Sequence, residues 1–393
     1  MTSKNEQESK NKKEFTEPVK GFSDYTGKEA EKRAVIKEVI KGMFQLYGFQ
    51  PAETPVIEKE EFVKSGTGNE EDEVISDIYR LKDKGDRNLA LRYEFTFQLK
   101  RLMKNKKLPF KRFQIGPVFR DEPIKGNRFR QFTQCDADVV GSTLKDDAEV
   151  LCMAKNLFKK LKINSSIYYN NRKLLNEILD KEGIKTNKEQ VIREIDKLDK
   201  QPKKQVKENL SKYNAERVLD IITSKKQGDV EKYSAFKEIK ELQKYLNQFN
   251  VEAKFAPYLA RGLSYYNGTV FEIKTPEMNE TITAGGAFNF NDVQSVGISF
   301  GLDRLQQLTK MSLDLEKYLV VSLGQDREAI KIAEKLRNKG KNTSLFYGKP
   351  SKALAYANSY NINKVVFVGE EEIKNKKLKV KNLDTGKESS LKI

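Results

Sequence analysis

FKRFQIGPVFRDEPIKGNRFRQFTQCDADVVG, residues Phe110 to Gly141, is the stretch whose reading decides the fold. Apolar residues recur through Phe113, Ile115, Val118 and Phe119, which predicts a strand. Gln131 to Val140 predicts a second one. Between them lies a hairpin loop carrying Arg120, Glu122, Lys125, Arg128 and Arg130. Gln134 and Asp138 are four apart, and even spacing along a strand puts both on one face.

Upstream, Val35, Ile36, Val39, Ile40, Met43, Phe44 and Tyr47 stand at helical spacing over residues 29–48, with Gly48 as the stop. A strand then runs into Thr54–Pro55, where proline removes a donor and ends regular pairing. Downstream, Lys188 to Phe249 is rich in Lys and Glu. Ile192, Ile195 and Leu198, then Val218, Ile221 and Ile222, mark apolar helix faces there. Beyond Lys310 strands alternate with helices: KYLVVSL, REAIKIAEKLRNKG, NTSLFYG, KALAYANSYN and KVVFVG. That alternation predicts a small parallel or mixed α/β domain. The tail LKVKNLDTGKESSLKI is β-rich and carries a Thr-Gly turn.

A chain of 393 residues suits two or three domains. With 74 Lys+Arg against 57 Asp+Glu the net charge is +17. That excess suits a polyanionic partner, because cations near phosphates release condensed counterions. A generally lysine-rich composition accounts for it nearly as well, so charge alone supports such a partner only weakly. No apolar run is long enough for a membrane span, and MTSKNEQESKNKKEF lacks the apolar core of a secretory signal. It reads as a disordered polar tail over residues 1–15. Cys135 and Cys152 are the two cysteines and form no Cys-x-x-Cys, so no structural zinc site is expected and a reducing, cytoplasmic setting is the default. The chain has no histidine at all, which excludes a Ser–His–Asp triad and any imidazole general base.

Arg120 and Glu122, two apart on the rim of a strand–loop–strand, resemble motif 2 of the class II aminoacyl-tRNA synthetases. RQFTQCDADVVG narrows the likeness to the histidyl-tRNA synthetases, whose histidine-binding strand it resembles. Other pieces follow in the family's order. LRYEFT (Leu91 to Thr96) stands upstream. LARGLSYYNGTVFEI (Leu259 to Ile273) resembles the histidyl-specific motif, and SVGISFGLDRL (Ser295 to Leu305) resembles motif 3. The early helix and strand resemble motif 1, which builds the dimer interface in this class.

The resemblance implies an α+β catalytic domain with a mixed, mainly antiparallel sheet over 16–164 and 251–310. It implies an α-helical insertion over 165–250 that leans on the tRNA acceptor stem, and an α/β anticodon-binding domain over 316–393. The implied reaction joins histidine to ATP as histidyl-adenylate, then passes the histidyl group to histidine tRNA, in a homodimer with Mg2+ on the phosphates. Arg120 and Arg261 would face the α-phosphate and Arg304 the γ-phosphate, with Glu122 on the adenine amino group and Arg128 steadying the nucleotide. Glu94, with Thr96 beside it, would take the α-ammonium of L-histidine. Gln134 would approach the amino acid, and Asp138 and Tyr266 would read the imidazole with Tyr265 adjacent. No resident metal is implied.

The chain departs from the family at AGGAFN, Ala284 to Asn289, where Ala-Gly-Gly-Arg-Tyr-Asp is usual, and at Ser264, where aspartate is common. One rival is a catalytically silent paralogue that senses histidine and regulates ATP phosphoribosyltransferase; that family tends to lack the anticodon domain and the phosphate-binding arginines, whereas Arg120, Arg261, Arg304 and the terminal α/β region are all present. The other is a tRNA-binding or sensing module with a degenerate core, and AGGAFN is the one feature in its favour.

Overall fold

In the computed structural model the described residues are 16–65, 76–124, 129–224, 228–261, 265–312, 315–375 and 377–391. The expected tail, residues 1–15, lies outside them. The chain forms two compact units, Met1–Asp24 with Arg33–Met311, and Tyr25–Lys32 with Ser312–Ile393.

Helix α1 spans Gly27–Leu46 and buries Ile36, Ile40, Met43 and Phe44, the apolar spacing read from the sequence. Strand β1 is Gln50–Pro51. The strand expected to reach Thr54–Pro55 therefore ends sooner, because β1 has a single neighbour and pairs with it over two residues only. Three short strands, β2 (Ile57–Lys59), β3 (Arg80–Lys82) and β4 (Asn88–Leu91), make a small sheet in the order β2-β4-β3.

The decisive stretch is β5 (Phe110–Phe119) and β6 (Gln131–Val140), antiparallel and in register from Phe110↔Val140 to Phe119↔Gln131. Helix α2 (Leu144–Lys160) follows, opened by a Thr143–Asp146 capping box. After β7 (Ser166–Asn171) come α3 (Arg172–Lys181), α4 (Lys188–Asp196), α5 (Lys203–Ser211), α6 (Glu216–Ile222) and α7 (Phe236–Gln248). Strands β8 (Ala253–Phe255), β9 (Tyr266–Thr275), β10 (Met278–Phe290) and β11 (Val293–Gly301) lead into α8 (Leu302–Leu308). The large sheet runs β1-β5-β6-β11-β10-β9-β7-β8; its two outermost pairs are parallel and the rest antiparallel. The expected mixed, mainly antiparallel sheet is present.

The stretch 165–250 is not helical from its start, because β7 pairs with β9 inside the large sheet. Its helices share one apolar core with that sheet: Ile192, Ile195, Val218 and Leu242 cluster with Ala137, Phe271 and Ile298.

In the second unit β12 (Lys317–Ser322), α9 (Asp326–Asn338), β13 (Asn342–Tyr347), α10 (Pro350–Ser359) and β14 (Lys364–Val368) alternate as expected. Strands β15 (Lys379–Asn382) and β16 (Glu388–Ser390) close a sheet of order β13-β12-β14-β15-β16. The core strands are parallel and the tail hairpin antiparallel.

Candidate functional site

Alternation along β6 builds one wall of a cleft of about 380 Å³. Cys135, Ala137 and Val139 turn into the core, so Gln134, Asp136 and Asp138 line the cleft. Glu94, Thr96, Arg120, Glu122, Arg261, Tyr265, Tyr266 and Arg304 line it too. Arg128 lies outside the described residues, so ten of the eleven residues expected from the sequence meet at one place. Asp136 was passed over, although its even spacing between Gln134 and Asp138 was the signal that would have found it.

The acidic members of this wall are buried and short of partners. Gln134 donates to Asp136 Oδ2 at 2.7 Å. Glu94 Oε1, Gln134 Oε1 and Asp136 Oδ1 meet no hydrogen-bond donor among the described residues. Asp138 Oδ2 lies 2.7 Å from Arg112 Nη2, an ion pair whose angle falls short of a hydrogen bond. Arg112 is wholly buried, stands directly opposite Asp138 on β5, and donates to the Phe95 carbonyl at 2.8 Å. Asp138, expected from the sequence to read an imidazole, has a second engagement in the fold. It is half of a cross-strand pair. Gly297, opposite Asp138 on β11, makes room for it, since a Cβ there would sit 2.3 Å from Asp138 Oδ1.

Burial, then the neighbouring Asp136, pushes the Glu94 carboxyl from its ordinary 4.5 up to about 8. Burial, then Asp138, pushes Asp136 from 3.8 to about 7. Each holds a proton in the folded protein over a range where the unfolded chain has lost it. The native state then binds more protons, so this contribution to stability is present below about pH 4 and is lost as pH rises towards 8. Glu94→Gln removes one such group. The variant is expected to gain thermal stability relative to wild type between pH 5 and pH 8, read as the difference in Tm across a pH series. A difference that is flat or of opposite sign would show that Glu94 is ionised in the unliganded protein.

Three arginines line the same cleft. The Arg120 guanidinium lies 4.3 Å from the Tyr93 ring centre and 5.2 Å from that of Phe132, with Glu122 3.8 Å away. Arg261 Nη1 donates to Glu272 at 2.7 Å. Burial opposes its charge, but the Tyr266 oxygen, Glu272 and Asp196 outweigh burial and hold its pKa up. Arg304, on the first turns of α8, donates to the Thr281 carbonyl. Nearby, Asp303 accepts from Arg33 at 2.6 Å and from the Thr133 backbone at 3.1 Å, which ties α8 to β6.

The AGGAFN departure sits inside β10. Phe288 is buried, with its ring 5.8 Å from that of Tyr265 and at 70° to it. The Tyr265 and Tyr266 rings are 4.8 Å apart. Gly285 serves strand packing, since a Cβ there would sit 2.1 Å from the Gly297 carbonyl. Asn291 and Asp292, with φ of 48° and 60°, form the two-residue turn between β10 and β11.

The open acceptors on Glu94, Gln134 and Asp136 suit N–H donors, and the three arginines suit anionic groups. Among the described residues no group of three or more Cys, Asp and Glu is placed to hold a metal ion.

The family model described as Histidyl-tRNA synthetase matches residues 21–305, and the one described as Anticodon binding domain matches 317–393. The chain belongs to the histidyl-tRNA synthetase family. A Histidine--tRNA ligase 1 of Bacillus anthracis is 37% identical, over 94% of this chain and 96% of that protein. A Histidine--tRNA ligase of Clostridium acetobutylicum is 34% identical, over 95% and 97%. A solved histidyl-tRNA synthetase from a Nostoc species has the same fold, with TM-score 0.83, 24% identity and 96% of each chain covered. So does an ATP phosphoribosyltransferase regulatory subunit/histidyl-tRNA synthetase from Bacillus halodurans, at TM-score 0.75, 19% identity, and 90% and 98% coverage. Histidyl-tRNA synthetases are aminoacyl-tRNA synthetases, so the chain belongs to an enzyme family.

Proposed function

We propose that the chain is a histidine–tRNA ligase, which activates histidine with the magnesium salt of ATP and transfers it to the 3′ end of histidine tRNA. One observation carries the reading: buried, unpartnered acceptors on Glu94, Gln134 and Asp136 share a cleft with Arg120, Arg261 and Arg304. Histidine supplies an ammonium and an imidazole N–H to the acceptors. ATP supplies phosphates to the arginines.

In the first step a histidine carboxylate oxygen forms a bond to the α-phosphorus, the bond to the β-phosphate bridging oxygen breaks, and pyrophosphate leaves with the electron pair. Both reactants are anionic at the reacting centre, so fixed cations are the physical remedy. Arginine suits because it binds phosphate bidentately and keeps its charge. Arg120 and Arg261 take the α-phosphate, Arg304 the γ-phosphate, Glu122 the adenine amino group and Arg128 the nucleotide. Glu94 and Thr96 take the ammonium, while Gln134, Asp138, Tyr265 and Tyr266 enclose the rest of the amino acid. In the second step a tRNA hydroxyl attacks the acyl carbon and AMP leaves.

We assign catalysis to 16–164 with 251–310, acceptor-stem contact to the helices within 165–250, and anticodon contact to 316–393, in a cytoplasmic homodimer. Among the described residues no helix is long and apolar enough to cross a membrane.

ATP–pyrophosphate exchange tested with each amino acid separates this reading from a histidine-sensing regulatory paralogue. Exchange is expected with histidine alone. Histidine binding without exchange would favour the paralogue, and neither histidine binding nor exchange would favour a module with a degenerate core, the reading that the altered AGGAFN segment supports. Light scattering is expected to give a dimer mass; an active monomer would exclude the assembly.

A further inference from the structure

Arg261 is held at both ends by side chains that lead away from the cleft. Its backbone φ is 53°, a left-handed conformation that a non-glycine residue keeps only where its surroundings impose it. The Arg261 carbonyl accepts from Arg172 Nη1 at 3.0 Å. Two residues before Arg172, the Asn170 amide donates at 2.8 Å to the carbonyls of Pro257 and Leu259, so the run into Arg261 is pinned along its length. Arg172 is 1% exposed, and its other arm lies 2.5 Å from Glu189 on α4.

The guanidinium end has a matching route. Glu272 accepts from Arg261 at 2.7 Å and from Thr281 at 2.9 Å. Lys274 lies 3.3 Å from the same carboxylate and also pairs with Asp199, in the short turn after α4. Two independent routes, one to the backbone of Arg261 and one to its side chain, therefore end ten residues apart on one helical segment. Each passes through a single basic residue. Neither Arg172 nor Lys274 lines the cleft.

We propose that Arg172 and Lys274 are positioning residues that transmit the seating of segment 188–199 to Arg261, so that displacing this segment changes the adenylate-forming step. The proposal rests on the reading of Arg261 as a phosphate-binding arginine. Arg172→Ala would leave a buried cavity and take the donor from the Arg261 carbonyl, so the test uses the half-exposed acidic ends. In Glu189→Gln/Asp199→Asn, kcat for histidine-dependent pyrophosphate exchange is expected to fall about tenfold, the scale of coupling through such contacts, with both KM values within about twofold. Deuterium uptake should rise across 255–261 and 266–275, and Glu189→Asp should retain wild-type kcat.

Wild-type kcat together with wild-type uptake in the double variant would overturn the coupling. So would a loss confined to Tm or shared equally by kcat and both KM values, which is what a merely structural role gives. Should wild type show no histidine-dependent exchange, the ligase reading fails by itself. Uptake then decides the coupling, faster exchange at 255–261 supporting it and unchanged exchange overturning it.

Discussion

Arg261→Ala is expected to slow adenylate formation by at least a hundredfold, the consequence of losing one preorganised contact to developing charge, worth about 2.7–4 kcal/mol. The magnitude follows from where the side chain sits. Arg261 lies in the same cleft as Arg120 and Arg304, and its Nε meets no acceptor among the described residues. Its Nη1 is committed to Glu272, which fixes the plane of the fork before any ligand arrives. The substitution also takes one partner from Glu272, which is 4% exposed and keeps Thr281 and Lys274. The loss of stability should therefore be smaller than the roughly 3–5 kcal/mol of an outright orphaned buried charge. Pre-steady-state formation of histidyl-adenylate, normalised to folded protein, separates the two effects. Arg261→Lys keeps a cation near Glu272 but cannot form the bidentate fork, so it should recover stability without recovering the rate. A folded Arg261→Ala variant within a few-fold of wild type would show that this arginine packs against Glu272 and does no chemistry.

Local periodicity was enough for much of this molecule. Helix α1 was legible because Ile36, Ile40, Met43 and Phe44 recur along one face, and β6 because its side chains alternate between core and cleft. The terminal α/β unit was legible from strand and helix lengths alone. What escaped depends on long-range register. Strands β2 and β3 have three residues each, too few for a period to show. Strand β7 buries residues on both faces, so it lacks the alternation that would have separated it from the helices after it. Nothing in the local pattern of β5 marks Arg112. Only the β5–β6 register puts it opposite Asp138, and an eleven-residue loop leaves that register open. Glu272 and Arg172 escaped for the same reason, being 11 and 89 residues from the arginine they hold. Motif likeness located the groups that face the cleft. It was silent on the buried charges that hold them in place.

Those buried charges change what Asp138→Asn should do. On sequence alone the substitution removes a charge that favours a protonated ring nitrogen, so discrimination should suffer more than folding does. The structure adds that the carboxylate balances Arg112, which is fully buried. An asparagine carbonyl can still accept from Arg112, so the loss of stability should be real but smaller than the 3–5 kcal/mol of an outright orphaned charge. Recognition should suffer separately. A charge-assisted hydrogen bond is worth about 1.5–3 kcal/mol, so the histidine KM should rise roughly ten- to a hundredfold while the ATP KM stays near normal. Phe288 has no hydroxyl to compensate, and Phe288→Tyr should change histidine affinity by less, because its ring is already packed edge-on against Tyr265. Gly297→Ala supplies the independent arm. Its Cβ would press on Asp138 Oδ1 without altering any charge, and should raise the histidine KM in the same direction. If Asp138→Asn lowers Tm but leaves the histidine KM unchanged, Asp138 serves only to neutralise Arg112. The imidazole must then be read from the Tyr266 side of the cleft.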